Sequence, residues 1–460
     1  MVKLRKTRNL HFVGIGGIGM SGIAEVLLNL GYVVSGSDLA AGETTERLTE
    51  LGARVLKGHS AENIGTPDVV IISSAIREDN PEVVAAREAG IPVVARAAML
   101  NELMRMKYGI AVAGSHGKTS TTSMVAAVMA EANLDPTVVI GGKLNSLGIN
   151  ALLGTGDYLV AEADESDGSF LQLTPTIAVV TNIDREHMDH YGTMDDLRDA
   201  FRQFLLKVPF YGRAILCLDD PEVAGLLLGI DRPYLTYGLT TQANVMARDV
   251  VHSGFESSFS AELDGAPLGA VTLRVPGAHN VYNSLAAIAV GLELDIPFHT
   301  ISRALGSFTG VQRRFQFKGM AAGIAVYDDY GHHPTEIKAT LKAAREGWEG
   351  PIVVLFQPHR YSRTQDLLGD FGTAFHNADR VLVCDIYAAG ETVIEGLTGE
   401  KVAAMMVGHG HRYVKYVGTR AEAVDRVLEE IRKGELLLTL GAGDVWRAGE
   451  EVLSRLEDQE

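Results

Sequence analysis

Apolar and polar positions along this chain follow two alternating rhythms. Short apolar runs bounded by Gly, Asp or Ser have the pattern of strands buried in a parallel sheet, and longer segments between them have helical spacing. In the first hundred residues, strands are predicted at 11–13, 32–37, 69–72 and 93–95, with a helix over 20–30. A second series opens with a strand at 110–113 and a helix over 121–132, and continues with strands at 158–161 and 176–180. Residues 232–275 lose the helical spacing and alternate as short strands, which predicts a small antiparallel extension. A helix from 277 to 291 follows, then a third series with strands at 325–327, 352–356, 381–383 and 436–440. The expected class is α/β in three domains, spanning 1–107, 108–312 and 313–460.

Size and composition support this division. At 460 residues the chain exceeds one core, given roughly 100–200 residues per domain. Fifty glycines and an apolar fraction of 46% fit folded α/β domains rather than disorder. No apolar stretch reaches about 18 residues, so no membrane insertion is expected. The basic start at Lys3 to Arg8 is followed by an apolar run that glycines, Ser21, Glu25 and Asn29 interrupt. It therefore reads as strand, loop and helix rather than a leader. A net charge of −17, without a run of Lys and Arg interleaved with aromatics, argues against nucleic acid as a partner. Cys217 and Cys384 sit in separate apolar runs and read as buried hydrophobes, consistent with the reducing cytoplasm.

The strand at 110–113 leads into Gly114-Ser115-His116-Gly117-Lys118-Thr119-Ser120, and a helix follows. Strand, glycine turn and helix start form a phosphate cradle. Backbone N–H groups and the helix N-terminus face the anion, Lys118 neutralises outer phosphates, and the Thr119 hydroxyl can ligate Mg²⁺. Val112 stands where the usual loop has its first glycine, so this is a shortened variant in which Gly114 takes the turn. The central domain is therefore expected to be of the P-loop ATPase type, with a nucleoside-triphosphate site. Two later strands end in polar clusters, Glu162-Ala163-Asp164-Glu165-Ser166-Asp167 and Thr181 to His187. If both flank the loop in a parallel sheet, Thr119, Glu162 and His187 come within reach of shared magnesium. Glu165 competes with Glu162, which is preferred because it follows directly on its strand.

The first domain has its own glycine loop, Gly14-x-Gly16-Gly17-x-Gly19, with Asp38 about 20 residues on, where a Rossmann-like dinucleotide fold places its ribose carboxylate. Taken alone, that domain reads as binding NAD. His59, Ser73 and Ser74 follow later strands at the edge where ligands of such sheets bind, although a loop histidine is an equally good reading of His59. Asn280 and Asn283, three apart on a helix, offer amides to a base edge or act as caps. In the third domain, also Rossmann-like, polar clusters follow three strands: 328–334, 357–363 and 441–444. Their His, Arg and Tyr residues suit a carboxylate or amine.

The ordered motifs resemble the Mur ligases of bacterial peptidoglycan synthesis over essentially the whole chain. They are GIGGIGMSGIA from Gly14, AGSHGKTSTT from Ala113, AEADESDGSF from Ala161, TNIDREHMDHY from Thr181, GAHNVYNSLAA from Gly277, RRF from Arg313, DDYGHHPTE from Asp328 and QPHRYSRT from Gln357. The resemblance implies a ligase that joins L-alanine to UDP-N-acetylmuramate, with a recycling ligase that attaches a tripeptide as the alternative. It displaces NAD with a UDP sugar on Gly14, Gly16, Gly17, Gly19, Asp38, His59, Ser73 and Ser74. It implies ATP on residues 114–120 with Asn280, Asn283 and Arg314, and metal on Thr119, Glu162 and His187. Lys118, His187, Arg314 and Asp329 would serve catalysis, and Tyr330, His332 and Arg363 would bind L-alanine. The carbamoylated lysine of some family members is not expected, because the only lysine between His187 and Tyr211 is Lys207, inside an apolar run.

Overall fold

The structure is a computed structural model that describes residue 4 and residues 6–73, 75–140 and 151–458. Three sheets carry the fold. The first is five-stranded and parallel, built from β1 (Asn9–Val13), β2 (Val33–Asp38), β3 (Arg54–Lys57), β4 (Val69–Ile72) and β5 (Val93–Ala95). Its order, β3-β2-β1-β4-β5, reverses direction beside β1. That switch point opens a crevice at the carboxyl edge, and the first glycine loop leaves β1 there.

The second sheet comprises β6 (Tyr108–Ala113), β7 (Thr137–Val139), β8 (Ala151–Leu152), β9 (Tyr158–Glu162), β10 (Ile177–Val180), β11 (Arg213–Cys217), β12 (Tyr234–Gly238), β13 (Val245–Ser253), β14 (Glu256–Leu263) and β15 (Ala266–Leu273). Its order is β15-β14-β13-β12-β11-β10-β6-β9-β7-β8, so β6 runs between β10 and β9, parallel to both. The expected flanking of the phosphate loop by two polar strand ends is present. The expected antiparallel extension is narrower than its pattern implied. β12 still pairs parallel to β11, and β13 pairs parallel to β12. Only β13, β14 and β15 are joined by two-residue turns, which connect antiparallel neighbours. Alternation reports a half-exposed face and carries no information on strand direction.

The third sheet contains β16 (Gln316–Ala321), β17 (Ile324–Asp329), β18 (Ile352–Phe356), β19 (Arg380–Cys384), β20 (Val414–Gly418) and β21 (Leu436–Leu440), in the order β16-β17-β21-β18-β19-β20. Only the edge pair β16 and β17 is antiparallel. The polar-ended strands β17, β21 and β18 are adjacent.

The chain divides into two compact units. One is Met1–Arg248, Ser260–Val271 and Tyr282–Phe308, and the other is Asp249–Phe259, Thr272–Val281 and Thr309–Glu460. In the first, one apolar cluster joins Phe12 and Ile23 to Ala111, Leu159 and Phe201, so the first two sheets share a core. In the second, both faces of the third sheet are covered. Phe356 packs with Phe371 and Phe375 on one side, and Val326, Leu437 and Val452 meet on the other. Among the described residues no helix is long and apolar enough to cross a membrane.

Both tryptophans, Trp348 and Trp446, lie in the second unit, so their fluorescence reports its unfolding. Phe356 is fully buried, with ring centroids 4.9 Å from Phe375 and 5.4 Å from Phe371. Phe356→Ala should destabilise this unit by about 3–5 kcal/mol, read as a lower urea midpoint in tryptophan fluorescence.

Candidate functional site

Between β6 and the helix Lys118–Glu131 the chain turns on Gly114 at φ 131° and Gly117 at φ 80°. Both positions need glycine for space as well as conformation. A Cβ at 114 would lie 2.0 Å from Thr181 Oγ1, and one at 117 would lie 2.6 Å from Asn283 Oδ1. The segment after β10 holds the loop closed. Ser115 N donates to Asn182 O at 3.0 Å, His116 N to Asn182 Oδ1 at 2.8 Å, and Asp184 N to Ser115 Oγ at 2.8 Å. Thr181 Oγ1 donates in turn to His116 O at 2.6 Å, and His116 Nε2 meets Asp184 Oδ2 at 2.8 Å. No side chain caps the helix at Gly117, so its first N–H groups, Ser120 among them, stay available to an anion.

Lys118 is mostly buried in this loop, its side chain 14% exposed. Its ammonium donates to Gly114 O at 2.6 Å, Ser115 O at 3.1 Å and Glu165 Oε1 at 2.9 Å. Burial opposes the charge, but Glu165 and then Glu162 outweigh it and hold Lys118 protonated well above its ordinary range. Thr119 Oγ1 lies 3.1 Å from each oxygen of Glu162, at the end of β9. His187, in a left-handed conformation at φ 58°, places Nε2 3.8 Å from Glu165 and 3.9 Å from Glu186. Ligand atoms of Glu165, Glu186 and His187 all fall within 4.8 Å of one another. Around the expected metal set, Glu162 meets Thr119, and Glu165, its competitor, lies beside His187. A tight turn after β9 brings Glu165 back beside the loop, where Gly168 N bonds Glu165 O. Strand register alone does not foresee that return. Carboxylate and hydroxyl oxygens grouped in this way fit Mg²⁺, a hard cation.

In the first loop, Gly14 is left-handed at φ 78°. Gly17 precedes the helix Ile18–Asn29 as its N-cap. Asp38, expected to face a ribose, braces the loop: Oδ2 accepts Gly16 N at 2.8 Å and Oδ1 accepts Ala40 N at 3.3 Å. Arg96 was not singled out from the sequence. Its guanidinium covers Gly19, where a Cβ would lie 2.5 Å from Nη1, and its Nη2 lies 3.3 Å from Asp164. A lone basic residue at the carboxyl end of β5 was the available signal. Ser73 follows β4, and His59 turns Nδ1 to Ser37 Oγ at 3.0 Å. Ser74 lies outside the described residues.

The two asparagines of the helix Ala278–Glu293 are both buried. Asn283 Oδ1 accepts Thr121 Oγ1 at 3.1 Å, against the phosphate loop, whereas Asn280 Nδ2 donates to Pro276 O at 2.8 Å.

In the second unit, Tyr330, His332 and Arg363 converge through His359, a member of the 357–363 cluster to which the sequence reading assigned no role of its own. The His332 ring lies 5.5 Å from Tyr330 and 6.2 Å from His359, whose Nδ1 is 3.3 Å from Arg363 Nη1. Burial, then His332, Arg363 and Arg360 push His359 down to about 3, so it stays neutral. The next residue, Arg360, has φ 67°, unusual backbone for a residue with a side chain. Arg314 lies over the Tyr330 ring at 5.3 Å and 3.3 Å from Glu336. Asp329 is spent on the backbone: Oδ2 accepts Phe315 N at 2.7 Å and Oδ1 accepts Gly331 N at 2.7 Å.

Together, a parallel α/β fold, a glycine phosphate loop closing on a buried lysine, and a carboxylate and imidazole group beside it define a nucleotide-binding enzyme of the P-loop kind. The comparisons narrow the class. Residues 9–108 match the Mur ligase family catalytic domain, residues 112–291 the Mur ligase middle domain, and residues 313–443 the Mur ligase glutamate ligase domain. The UDP-N-acetylmuramate–L-alanine ligase of Geotalea uraniireducens is 57% identical, covering 98% of this chain and 99% of its own length. Among solved structures, the UDP-N-acetylmuramate-alanine ligase of Thermotoga maritima superposes with a TM-score of 0.84 at 32% identity, covering 98% of this chain and all of that one. A murein peptide ligase of Psychrobacter arcticus follows at TM-score 0.73 and 22% identity, over 98% and 99%. The chain belongs to the Mur ligase family.

Asp329 supplies a test of the second unit. Burial raises its carboxyl from 3.8 to about 6, against the nearby Arg314. A pKa raised in the folded state gives stability that is complete below about pH 3.8 and lost as pH rises through about 6. Asp329→Asn should abolish that slope in urea midpoints followed by tryptophan fluorescence, whatever its absolute stability.

Proposed function

We propose that this chain is an ATP-dependent ligase that joins L-alanine to the lactyl carboxylate of UDP-N-acetylmuramate in peptidoglycan synthesis. Its products are UDP-N-acetylmuramoyl-L-alanine, ADP and phosphate. The observation that carries the reading is the buried Lys118 at the head of its helix, beside Thr119, Glu162 and Glu165. It stands in a chain 57% identical, nearly end to end, to a relative named for this reaction. Attachment of a whole tripeptide is not favoured, since relatives 56–58% identical over 98% of this chain are named for the L-alanine reaction.

The reaction has two steps. The lactyl carboxylate attacks the γ-phosphate of ATP to give an acyl phosphate, and the amine of L-alanine then attacks that carbonyl through a tetrahedral intermediate and expels phosphate. Two anions must approach in the first step, so the loop N–H groups of residues 114–120 and the Lys118 ammonium have to outweigh their repulsion. To reach phosphate, Lys118 exchanges one of its present acceptors for a phosphate oxygen. Thr119, Glu162 and His187 would hold Mg²⁺, with Glu165 close to His187. Bound there, the ion would supply further charge neutralisation. Asn283 and Asn280 are assigned to the adenine, and Arg314 to phosphate. Gly14, Gly16, Gly17, Gly19, Asp38, His59, Ser73 and Ser74 are assigned to the UDP sugar, with Asp38 acting through the loop it braces. Tyr330, His332 and Arg363 are assigned to L-alanine, and Asp329 to shaping the backbone that presents them. The domains are taken as 1–107 for the UDP sugar, 108–312 for ATP and 313–460 for the amino acid. A cytoplasmic location suits an enzyme that consumes ATP and a nucleotide sugar, and both cysteines are free and buried.

Measured as ADP release with UDP-N-acetylmuramate, L-alanine should be the fastest acceptor. Glycine and L-serine should be slower by roughly 10 to 200-fold, the discrimination available to a pocket that encloses one methyl. A tripeptide or larger amino acid that outpaces L-alanine would overturn the substrate assignment.

Lys118→Ala should lower turnover by about 2.7–4 kcal/mol, the scale of one lost charge-stabilising donor, in a protein that still folds. Arg363→Lys should raise the KM for L-alanine and spare that for ATP. Equal shifts in both would assign Arg363 to phosphate.

A further inference from the structure

Glu82 is a fully buried carboxylate in the first turn of the helix Pro81–Glu88. An ionised carboxylate is costly in such a place unless donors surround it. Here four do. Oε2 receives His11 Nε2 at 2.7 Å and Ser37 Oγ at 2.8 Å, and Oε1 receives His59 Nδ1 at 3.0 Å and Asn63 Nδ2 at 3.1 Å. Burial pushes the carboxyl up, but the hydrogen bonds from His11, Ser37, Asn63 and His59 together win and hold it at about 2. Glu82 is therefore an acceptor only.

The positions of the protons follow from that. Each imidazole nitrogen facing Glu82 must carry a hydrogen, which assigns His11 as Nε2–H and His59 as Nδ1–H. Ser37 has one hydroxyl proton and gives it to Oε2, so its oxygen, 3.0 Å from His59 Nδ1, is a second acceptor there. His11 is closed off, with Nδ1 against Ser35 Oγ at 2.9 Å and no exposed side-chain surface. The His59 side chain retains 15% exposure, and its Nε2 has no hydrogen-bond partner among the described residues. His59 follows β3 at the carboxyl edge of the first sheet, the edge that also carries the loop of residues 14–19 and Ser73.

We infer that Glu82 is a positioning residue that holds His59 as its Nδ1–H tautomer, leaving Nε2 to accept a hydroxyl or N–H of the nucleotide sugar rather than to donate to its diphosphate. The inference rests on the proposed assignment of His59 to the UDP-sugar site. A ring in the opposite tautomer would present a donor, attract phosphate oxygens and lose its bond to Glu82.

Long-range ¹H–¹⁵N spectra of the full-length protein at neutral pH test it directly, with His59 assigned by the signals lost in His59→Asn. The neutral Nδ1–H form is expected. An Nε2–H tautomer or an imidazolium in the wild-type protein overturns the inference without any need for a Glu82 variant to fold. In Glu82→Gln, His59 should lose its single tautomer, and the KM for UDP-N-acetylmuramate should rise about 10-fold, the lower end of the effect when a metal-binding histidine loses the carboxylate that orients it, with KM for ATP and L-alanine unchanged. A merely structural carboxylate would lower the melting temperature and leave both the tautomer and the ratio of the three KM values as they were, and that result also overturns it. If His59 is Nδ1–H but His59→Asn leaves the nucleotide-sugar KM unchanged, the site assignment of His59 fails instead.

Discussion

A buried ammonium has to be surrounded by acceptors, and the first unit is arranged around meeting that demand for Lys118. Two of its acceptors are carbonyls of its own loop, Gly114 and Ser115, so the loop must curl tightly enough to turn them inward. That curl requires the left-handed backbone of Gly114 and Gly117, and it presses the loop so close to Thr181 and Asn283 that neither glycine can carry a Cβ. The third acceptor, Glu165, is itself buried and depends on the turn after β9 for its position. The strand order β10-β6-β9 brings both supports to the same place, because each comes from the carboxyl end of a strand beside β6.

The two glycine loops solve one problem in different ways. Each must stay open to an anion while its own backbone is held still. In the first, one carboxylate, Asp38, accepts Gly16 N, and the positive charge comes from Arg96 on a distant helix. In the second, Thr181 and Asn182 hold the backbone of the loop, Asp184 meets the His116 side chain, and the positive charge comes from Lys118 within the loop. An acidic brace beside a loop that binds phosphate is acceptable where its charge is spent on backbone N–H groups and an arginine lies over the loop. Arg96 also meets Asp164 of the acidic segment after β9, which joins the surroundings of the two loops through one ion pair.

In the second unit, buried carboxylates have a similar supporting role. Asp328 receives Arg313 Nε at 3.0 Å and Thr439 Oγ1 at 2.7 Å, and Arg313 donates onward to Gly441 O at 2.6 Å. These bonds tie the end of β17 to the end of β21. Gln357, at the end of β18, accepts Asp444 N at 3.0 Å and gives its amide to Asp444 Oδ1 at 2.9 Å. Three adjacent strand ends are therefore cross-linked beneath the partly buried Tyr330, His332 and Arg363, which fixes where those side chains stand.

Much of this protein is determined by local sequence. The order of apolar runs and helical segments dictates three parallel-rich α/β sheets, and glycines set between a strand and a helix mark both loops, because only backbone geometry is needed to read them. Polar residues that end strands are legible for the same reason, since parallel strands present their carboxyl ends on one edge. What the sequence does not contain is the partner of each charged group. Asp38 meets Gly16, Asp329 meets Phe315 and Gly331, and Glu165 comes beside both Lys118 and His187. Arg96, at the start of the helix after β5, reaches Gly19 and Asp164, and His359, after β18, reaches His332, partners remote in sequence. Only the tertiary structure decides those pairings, because a hydrogen bond falls off within a few tenths of an ångström and the turn that closes such a gap depends on the packing around it.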